Sequence, residues 1–204
     1  MDGTVLDLSF DNLFWLDALP RRWGERHGVP ADEAIPRLRA QFDALRGSLE
    51  WYCIDHWSER LDFDIAALKA ELRAHIRWLP GAERFLEAVR ARGKRLLLTT
   101  NAHPISLAVK DDHAGLARHF DALVSSHAFG VAKESPDFWT RLAASHGVEP
   151  AGTLFVDDSA AVLEAARRAG VREVYQVLRP DSTQPPRPPL PGFMAVDGLA
   201  DLLG

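Results

Sequence analysis

Short polar signals stand where several apolar runs of strand length end. In an open parallel sheet the ligand site lies beyond the carboxyl ends of the strands, so residues at different strand ends meet at one edge. We therefore expect a single site built from residues that are far apart in the chain. These residues are Asp2 and Gly3, Thr100 and Asn101, Lys133, and the pair Asp157 and Asp158.

The carboxylates among these residues predict a metal site. Phosphoryl transfer brings several negative charges together, and a Mg²⁺ ion and a cationic side chain must offset them. Mg²⁺ prefers oxygen ligands. Asp158 is the first candidate ligand, with Asp157 close by and the backbone carbonyl of Asp2 as a third.

The other residues predict a phosphate site. Lys133 would hold the phosphate as a point charge, and Thr100 would donate its hydroxyl hydrogen. Backbone amides near Gly3 and Asn101 would bind phosphate oxygens. Asp2 would donate and accept protons. The candidate catalytic residues are Asp2, Thr100 and Lys133.

Each signal also has an ordinary structural explanation. Asp-Gly is a common turn pair, threonines suit strands, and a single lysine is usually a solvated surface charge. Asp157-Asp158-Ser159 before a helix can be a helix cap. The signals are weak singly, and only their common position at strand ends makes the combination specific.

The elements that must position these residues fall into two groups. Residues 11–78 show helical periodicity, with Pro20 expected to interrupt the first helix, and contain five of the six tryptophans. After Pro80-Gly81, continuous apolar strands alternate with helices of about 10 residues, which is typical of a parallel sheet covered on both faces. We predict an α/β fold with a Rossmann-like core domain at 1–10 and 79–204 and an inserted helical cap subdomain at 11–78. The proline-rich stretch 180–191 is expected to run extended over the surface.

Composition restricts the class of protein. An apolar share of 47% with 26% charged residues is that of a globular protein, and a net charge of −5 argues against nucleic-acid binding. We expect no signal peptide and no membrane span, since no apolar run reaches roughly 18 residues. The single cysteine, Cys53, excludes an internal disulfide and favours the cytoplasm; it is expected to be a buried small hydrophobe. The histidines show no spacing typical of metal ligands.

The order of the motifs resembles that of haloacid dehalogenase-like phosphohydrolases. Met1-Asp2-Gly3-Thr4, Thr99-Thr100-Asn101, Lys133 and Asp157-Asp158 match the four motifs of that family. Its first motif is Asp-x-Asp-Gly-Thr, in which the first Asp is the covalent nucleophile and the second is the general acid/base. The resemblance gives Asp2 the second role and places the nucleophile directly before Met1, outside the 204 residues. It implies a reaction through an aspartyl-phosphate.

This position of Met1 predicts an inactive polypeptide. We expect the natural protein to begin about 10–20 residues earlier, enough for one strand and a short lead-in. The resemblance places that strand in the middle of the sheet, so its neighbours would each expose an unpaired apolar edge.

Several stretches along the chain carry a second, narrower resemblance. They are Leu6-Asp7-Leu8 with Phe10-Asp11-Asn12, Trp51 to Leu61, Thr100 to Pro104, Phe129-Gly130 with Lys133-Glu134, and Phe155 to Ser159. In these stretches the chain closely resembles bacterial GMP/IMP nucleotidases within the superfamily. The resemblance implies Mg²⁺-dependent hydrolysis of purine 5'-mononucleotides, with the cap closing over the substrate.

Candidate substrate contacts lie in the predicted cap. Trp51, Tyr52 or Trp57 could stack on a purine, an interaction worth about 1–3 kcal/mol per base, although aromatics at helical spacing more often fill a helical core. Asn12 could reach the substrate from the cap hinge. His103 is expected to be a loop residue beside the phosphate site.

Two other functions fit the same residues. A phosphatase of this fold could act on a sugar phosphate or another small phosphomonoester. A catalytically dead module could instead bind a nucleotide or phosphate through Lys133, Thr100 and the cap. A dehalogenase is disfavoured, because Asp2 and the Asp157-Asp158 pair suit Mg²⁺-assisted phosphoryl chemistry. The expected partner is a small phosphomonoester, not a nucleic acid or a membrane.

Overall fold

A computed structural model describes residues 1–203 and confirms the predicted α/β fold. Among these residues, no helix is both long and apolar enough to cross a membrane. The helices are α1 (Ser9–Leu13), α2 (Leu19–His27), α3 (Ala31–Ala44), α4 (Ile54–Leu61), α5 (Ile65–Glu71), α6 (Ala82–Ala91), α7 (Pro104–Ala114), α8 (Pro136–His146) and α9 (Ala160–Arg168). The strands are β1 (Leu97–Thr100), β2 (Ala122–Ser125), β3 (Leu154–Asp157), β4 (Glu173–Val177) and β5 (Met194–Val196).

A π-helical turn at Phe14–Ala18 joins α1 directly to α2. The prediction that Pro20 interrupts this helix is therefore wrong. Proline lacks an N–H, and in a regular α-helix its ring crowds the carbonyl four residues earlier. Here the N–H of Leu19 bonds the carbonyl of Phe14, five residues earlier, so the helix is wider just before Pro20 enters its first α-helical turn.

The parallel pairing of the strands is divided into two ladders. β1 pairs with β2, so that Thr100 lies opposite Ser125. β3 pairs with β4, so that Asp157 lies opposite Gln176, and β5 joins the other side of β4. The sequence did not predict β5, because a strand of three residues is too short to show a periodic pattern.

Clusters of buried apolar side chains hold these elements together. Residues 11–78, here called the helical segment, contain one such cluster around the fully buried Trp57. A second cluster packs Met1 against Leu98 of β1, and Val156 of β3 packs against it. The two ladders therefore share one core, which brings the ends of β1 and β3 to the same side of the protein.

Candidate active site

The strand ends and the start of the chain line one cavity of about 750 Å³. This volume is in the range of small-molecule sites. The residues that the sequence predicted for catalysis, phosphate binding and metal binding line the cavity except Gly3, which contacts a lining residue. Of the candidate substrate contacts, Trp57 does not line it. The predicted residues that line it include Asp2, Asn12, Trp51, Thr100, Asn101, Lys133, Asp157 and Asp158.

Lys133 and Asp157 form a buried ion pair in this cavity. The Lys133 ammonium donates to Oδ2 of Asp157 at 2.6 Å and to the carbonyl of Thr99 at 3.4 Å. The backbone of Lys133 is fixed as well, since its N–H donates to Oδ1 of Asn101 and its carbonyl accepts from Nε1 of Trp139, both at 2.8 Å. Burial favours a neutral acid, but the Lys133 charge keeps the pKa of Asp157 below its ordinary value. Asp157 is therefore ionised where it accepts from Lys133.

Glu134 connects the predicted phosphate loop to the helical segment. One of its carboxylate oxygens accepts from Nδ2 of Asn101 and the other from the hydroxyl of Tyr52, both at 2.8 Å. Burial, together with the Glu134 charge, raises the pKa of Tyr52, so the phenol stays protonated as a donor. The Asn101 side chain is thus occupied in positioning, and its predicted phosphate role depends on its backbone amide.

Asp158 lies against Gly3 and an arginine that the sequence analysis did not select. Nη1 of Arg187 donates to the carbonyl and to Oδ2 of Asp158, each at 3.0 Å. Gly3 has a φ of +72°, and a Cβ added there would lie 2.6 Å from Cγ of Asp158. Burial and the neighbouring Asp157 raise the pKa of Asp158 to about 6, despite Arg187. Only glycine permits this approach.

Asp2 belongs to a buried network of two aspartates and two lysines. The Lys110 ammonium lies 2.6 Å from Oδ1 of Asp2 and 2.5 Å from Oδ2 of Asp11, and the Lys69 ammonium lies 3.2 Å from Asp11. Burial and the charge of Asp11 raise the pKa of Asp2. The two lysines lower the pKa of Asp11 in spite of its burial. Asp2 is thus suited to carry a proton while Asp11 stays ionised. The sequence analysis assigned no role to the lysines.

The donor set around Asp158 fits a Mg²⁺ ion. Asp157 and Asp158 are adjacent carboxylates, and Mg²⁺ binds through oxygen. The raised pKa of Asp158 shows that Arg187 alone does not offset its charge. Because Gly3 has no side chain, the Asp158 carboxylate can lie against its backbone. The predicted third ligand, the backbone carbonyl of Asp2, belongs to the preceding residue.

The predicted substrate contacts differ in whether their side chains are available to bind a ligand. Nδ2 of Asn12 donates to Asp181 at 2.7 Å, so this amide already has a protein partner. Trp57 is fully buried and cannot stack on a ligand, which corrects that possibility. Trp51 is half-buried and lines the cavity, with the Arg46 guanidinium 5.4 Å from its ring centroid. Trp51 thus remains a candidate to stack on a base, as does Tyr52, which also lines the cavity.

Comparisons with known proteins identify the family of the chain. The family of haloacid dehalogenase-like hydrolases matches residues 1–170. The chain is similar to the GMP/IMP nucleotidase YrfG of Escherichia coli (strain K12), with 45% identity over 182 residues that cover 89% of this chain and 82% of that protein. It is also 36% identical to a phosphoserine phosphatase of Thermus thermophilus over 108 residues, 52% of this chain and 43% of that one.

The fold is also similar to a solved structure. A HAD phosphatase from Thermococcus onnurineus superposes with a TM-score of 0.84, covering 99% of this chain and 93% of that chain. Since the two sequences are only 20% identical, this likeness shows the fold alone. The family match over most of the chain goes further: this protein belongs to the haloacid dehalogenase-like hydrolases.

Proposed function

We propose that the protein is a Mg²⁺-dependent phosphomonoester hydrolase that removes phosphate from purine 5'-mononucleotides such as GMP and IMP. The observation that carries the proposal is the convergence of Asp2, Lys133, Asp157 and Asp158 on one cavity at the strand ends. The 45% identity to a GMP/IMP nucleotidase supports the class of substrate. The single cysteine is consistent with work in the reducing cytoplasm.

Three side chains perform the chemistry in this proposal. Lys133 places its charge beside the phosphate, where it offsets the charge of the transferring group. The hydroxyl oxygen of Thr100 accepts from the N–H of Ala102 at 3.0 Å, which leaves the hydroxyl hydrogen for a phosphate oxygen. Asp2, with its raised pKa, protonates the leaving alkoxide and then takes a proton from the attacking water.

The metal site supports these steps. Mg²⁺ held by Asp157, Asp158 and the carbonyl of Asp2 would supply positive charge at the phosphate. Arg187 orients Asp158 through its two hydrogen bonds.

The helical segment acts as a cap in this proposal, with residues 1–10 and 79–204 as the core domain. Its Asp11 shares Lys110 with Asp2, and its Tyr52 shares Glu134 with Asn101. These contacts support the proposal that the cap covers the catalytic residues. Trp51 would then cover the base.

The covalent step requires a carboxylate in line with the phosphorus. The family pattern places it directly before Met1. Activity tests therefore use an extended polypeptide, defined here as the 204 residues preceded by an apolar strand that ends in Asp next to Met1.

A substrate panel tests the proposed function. The extended polypeptide should release phosphate from GMP and IMP faster than from sugar phosphates, and chelation of Mg²⁺ should stop the release. Its Asp158→Asn variant should lose turnover by at least about 100-fold, since it loses a charged ligand of the metal. Equal rates on GMP and sugar phosphates would overturn the substrate assignment, and wild-type rates in Asp158→Asn would place the metal elsewhere.

A further inference from the structure

A thiol and two imidazoles meet where the helical segment contacts the strand-end loops. Cys53, His103 and His127 each present one ligand atom, and these atoms lie within 4.8 Å of one another. All three residues are half-buried. Cys53 is therefore not the buried small hydrophobe that the sequence predicted.

Three separate elements bring these side chains together. Cys53 is the N-cap of α4, where its sulfur accepts from the N–H of His56 at 3.5 Å. His103 is the N-cap of α7, and His127 lies in the 3₁₀ turn Ser126–Phe129 that follows β2. Because the residues come from distant segments, the sequence shows no motif with metal-ligand spacing.

The imidazole of His127 lacks a partner that the protein would normally provide. Its Nε2 atom is buried and has no hydrogen bond with any described residue. Buried polar atoms are nearly always bonded, so an unpaired imidazole nitrogen on a residue of this cluster points to a missing ligand. The ring packs edge-on against His103, with the centroids 5.0 Å apart.

A carboxylate lies next to the imidazole of His103. Oδ2 of Asp55 lies 3.4 Å from Nε2 of His103. Histidines that bind metals commonly donate their other ring N–H to a carboxylate, which fixes the ring and its tautomer. The contact with Asp55 leaves Nδ1 of His103 as an acceptor, at present only for a long 3.4 Å bond from the N–H of Ile105.

We propose that Cys53, His103 and His127 form a binding site for a soft divalent transition metal, with Zn²⁺ as the preferred ion. Thiolate and imidazole are the ligands that Zn²⁺ takes, in tetrahedral geometry and often with a fourth position open to water. Ligands at about 2.0–2.3 Å from such an ion are roughly 3.3–3.6 Å apart. Side-chain rotations that move these ligand atoms by about 1 Å would bring them from within 4.8 Å of one another to that separation. Binding releases the thiol proton of Cys53 to solvent.

This site is distinct from the proposed Mg²⁺ site in its chemistry. Asp157 and Asp158 offer only oxygen, whereas the new site offers sulfur and nitrogen. Zn²⁺ would join Cys53 of the helical segment to His103 and His127 of the strand-end loops. Metal binding here would therefore fasten the helical segment to the rest of the protein.

Titration of the chelator-treated 204-residue protein with Co²⁺ and Zn²⁺ tests the proposal. Co²⁺ should produce a thiolate-to-metal charge-transfer band that excess Mg²⁺ leaves unchanged and Zn²⁺ removes. The band should be absent in Cys53→Ser, because this variant removes the thiolate. In His127→Gln the affinity for Co²⁺ should fall by more than about tenfold, because this variant removes an imidazole ligand. The matched control His75→Gln changes an exposed histidine outside the cluster and should leave the band intact.

A second measurement does not depend on any variant. Zn²⁺ should slow the alkylation of Cys53 in the wild-type protein by more than about tenfold, because a coordinated thiolate is not free to react. The proposal is overturned if Zn²⁺ leaves the alkylation rate unchanged, or if the Co²⁺ spectrum lacks a thiolate band.

Discussion

Replacement of Gly3 tests the close approach of the Asp158 side chain to its backbone. An alanine there would place its Cβ 2.6 Å from Cγ of Asp158, whereas a Cβ at Gly130 would meet nothing within 4 Å. Both glycines have nearly the same positive φ, +72° and +67°. The backbone strain of about 1–2 kcal/mol is therefore common to the two alanine variants.

We expect Gly3→Ala to cost clearly more than Gly130→Ala, and to weaken Mg²⁺ binding as well. Chemical denaturation of the two variants gives the difference in the free energy of unfolding, and calorimetry gives the metal affinity. Equal losses in both variants would show that Asp158 moves away freely and that Gly3 is needed only for its φ.

Lys110 stabilises two buried carboxylates, so its removal should be costly. In Lys110→Met, Asp2 and Asp11 lose their shared cation, and breaking a buried pair costs about 3–5 kcal/mol. The matched control Lys94→Met changes an exposed lysine and should be near neutral.

The pH dependence of this loss has a defined direction. Asp11 has a lowered pKa, so its ionised form stabilises the folded protein above the unfolded value of about 3.9, and this contribution disappears as the pH falls. The difference in unfolding free energy between wild type and Lys110→Met should be largest near pH 7 and shrink below about pH 4. A loss that does not change with pH would mean that Lys110 acts by packing alone.

The site residues that the sequence predicted are those whose position relative to a strand follows a general rule. Asp158, Thr100 and Lys133 stand at or after strand ends, where ligand sites of parallel sheets lie. Lys110 and Arg187 carry no such mark, because one lies in the middle of α7 and the other in a proline-rich stretch. Only tertiary packing reveals that their charges meet Asp2 and Asp158.

At the scale of elements, the helical segment should determine the choice of substrate. Trp51 lines the cavity, so Trp51→Ala in the extended polypeptide should raise KM for GMP by about 5- to 150-fold, which corresponds to the loss of one base–aromatic stack. Turnover of p-nitrophenyl phosphate should change little, because it has no base. Kinetics on both substrates measure the ratio.

The control for this prediction is Trp57→Phe. Trp57 is fully buried in the helical segment, so this variant should lower thermal stability without altering the ratio of the two substrates. If Trp51→Ala slows both substrates equally, Trp51 serves folding rather than recognition.

The helices and strands were largely predictable because their apolar periods are clear. At the start of α5, for example, the Asp64 side chain accepts from the N–H of Ala67 and caps the helix. The exceptions have physical causes. Pro20 was misinterpreted because a π-helical turn, which has no sequence period of its own, accommodates it.

At the scale of the whole molecule, the two ladders share one core but do not pair with each other. β1 and β3 each have one strand neighbour among residues 1–203, and Lys133 reaches both, through the carbonyl of Thr99 and the carboxylate of Asp157. Met1 lies in the shared apolar cluster. A carboxylate joined directly to Met1 would therefore enter the site next to the Lys133 charge.

The central claim is that this edge is a phosphoryl-transfer site completed by a carboxylate directly before Met1. The measurement is the initial rate of phosphate release from GMP, in Mg²⁺, by two proteins: the extended polypeptide, and the extended polypeptide with Asn in place of the added Asp. We predict turnover only in the form with Asp, because Asn cannot act as the nucleophile. Rapid GMP hydrolysis by the Asn form would contradict the account.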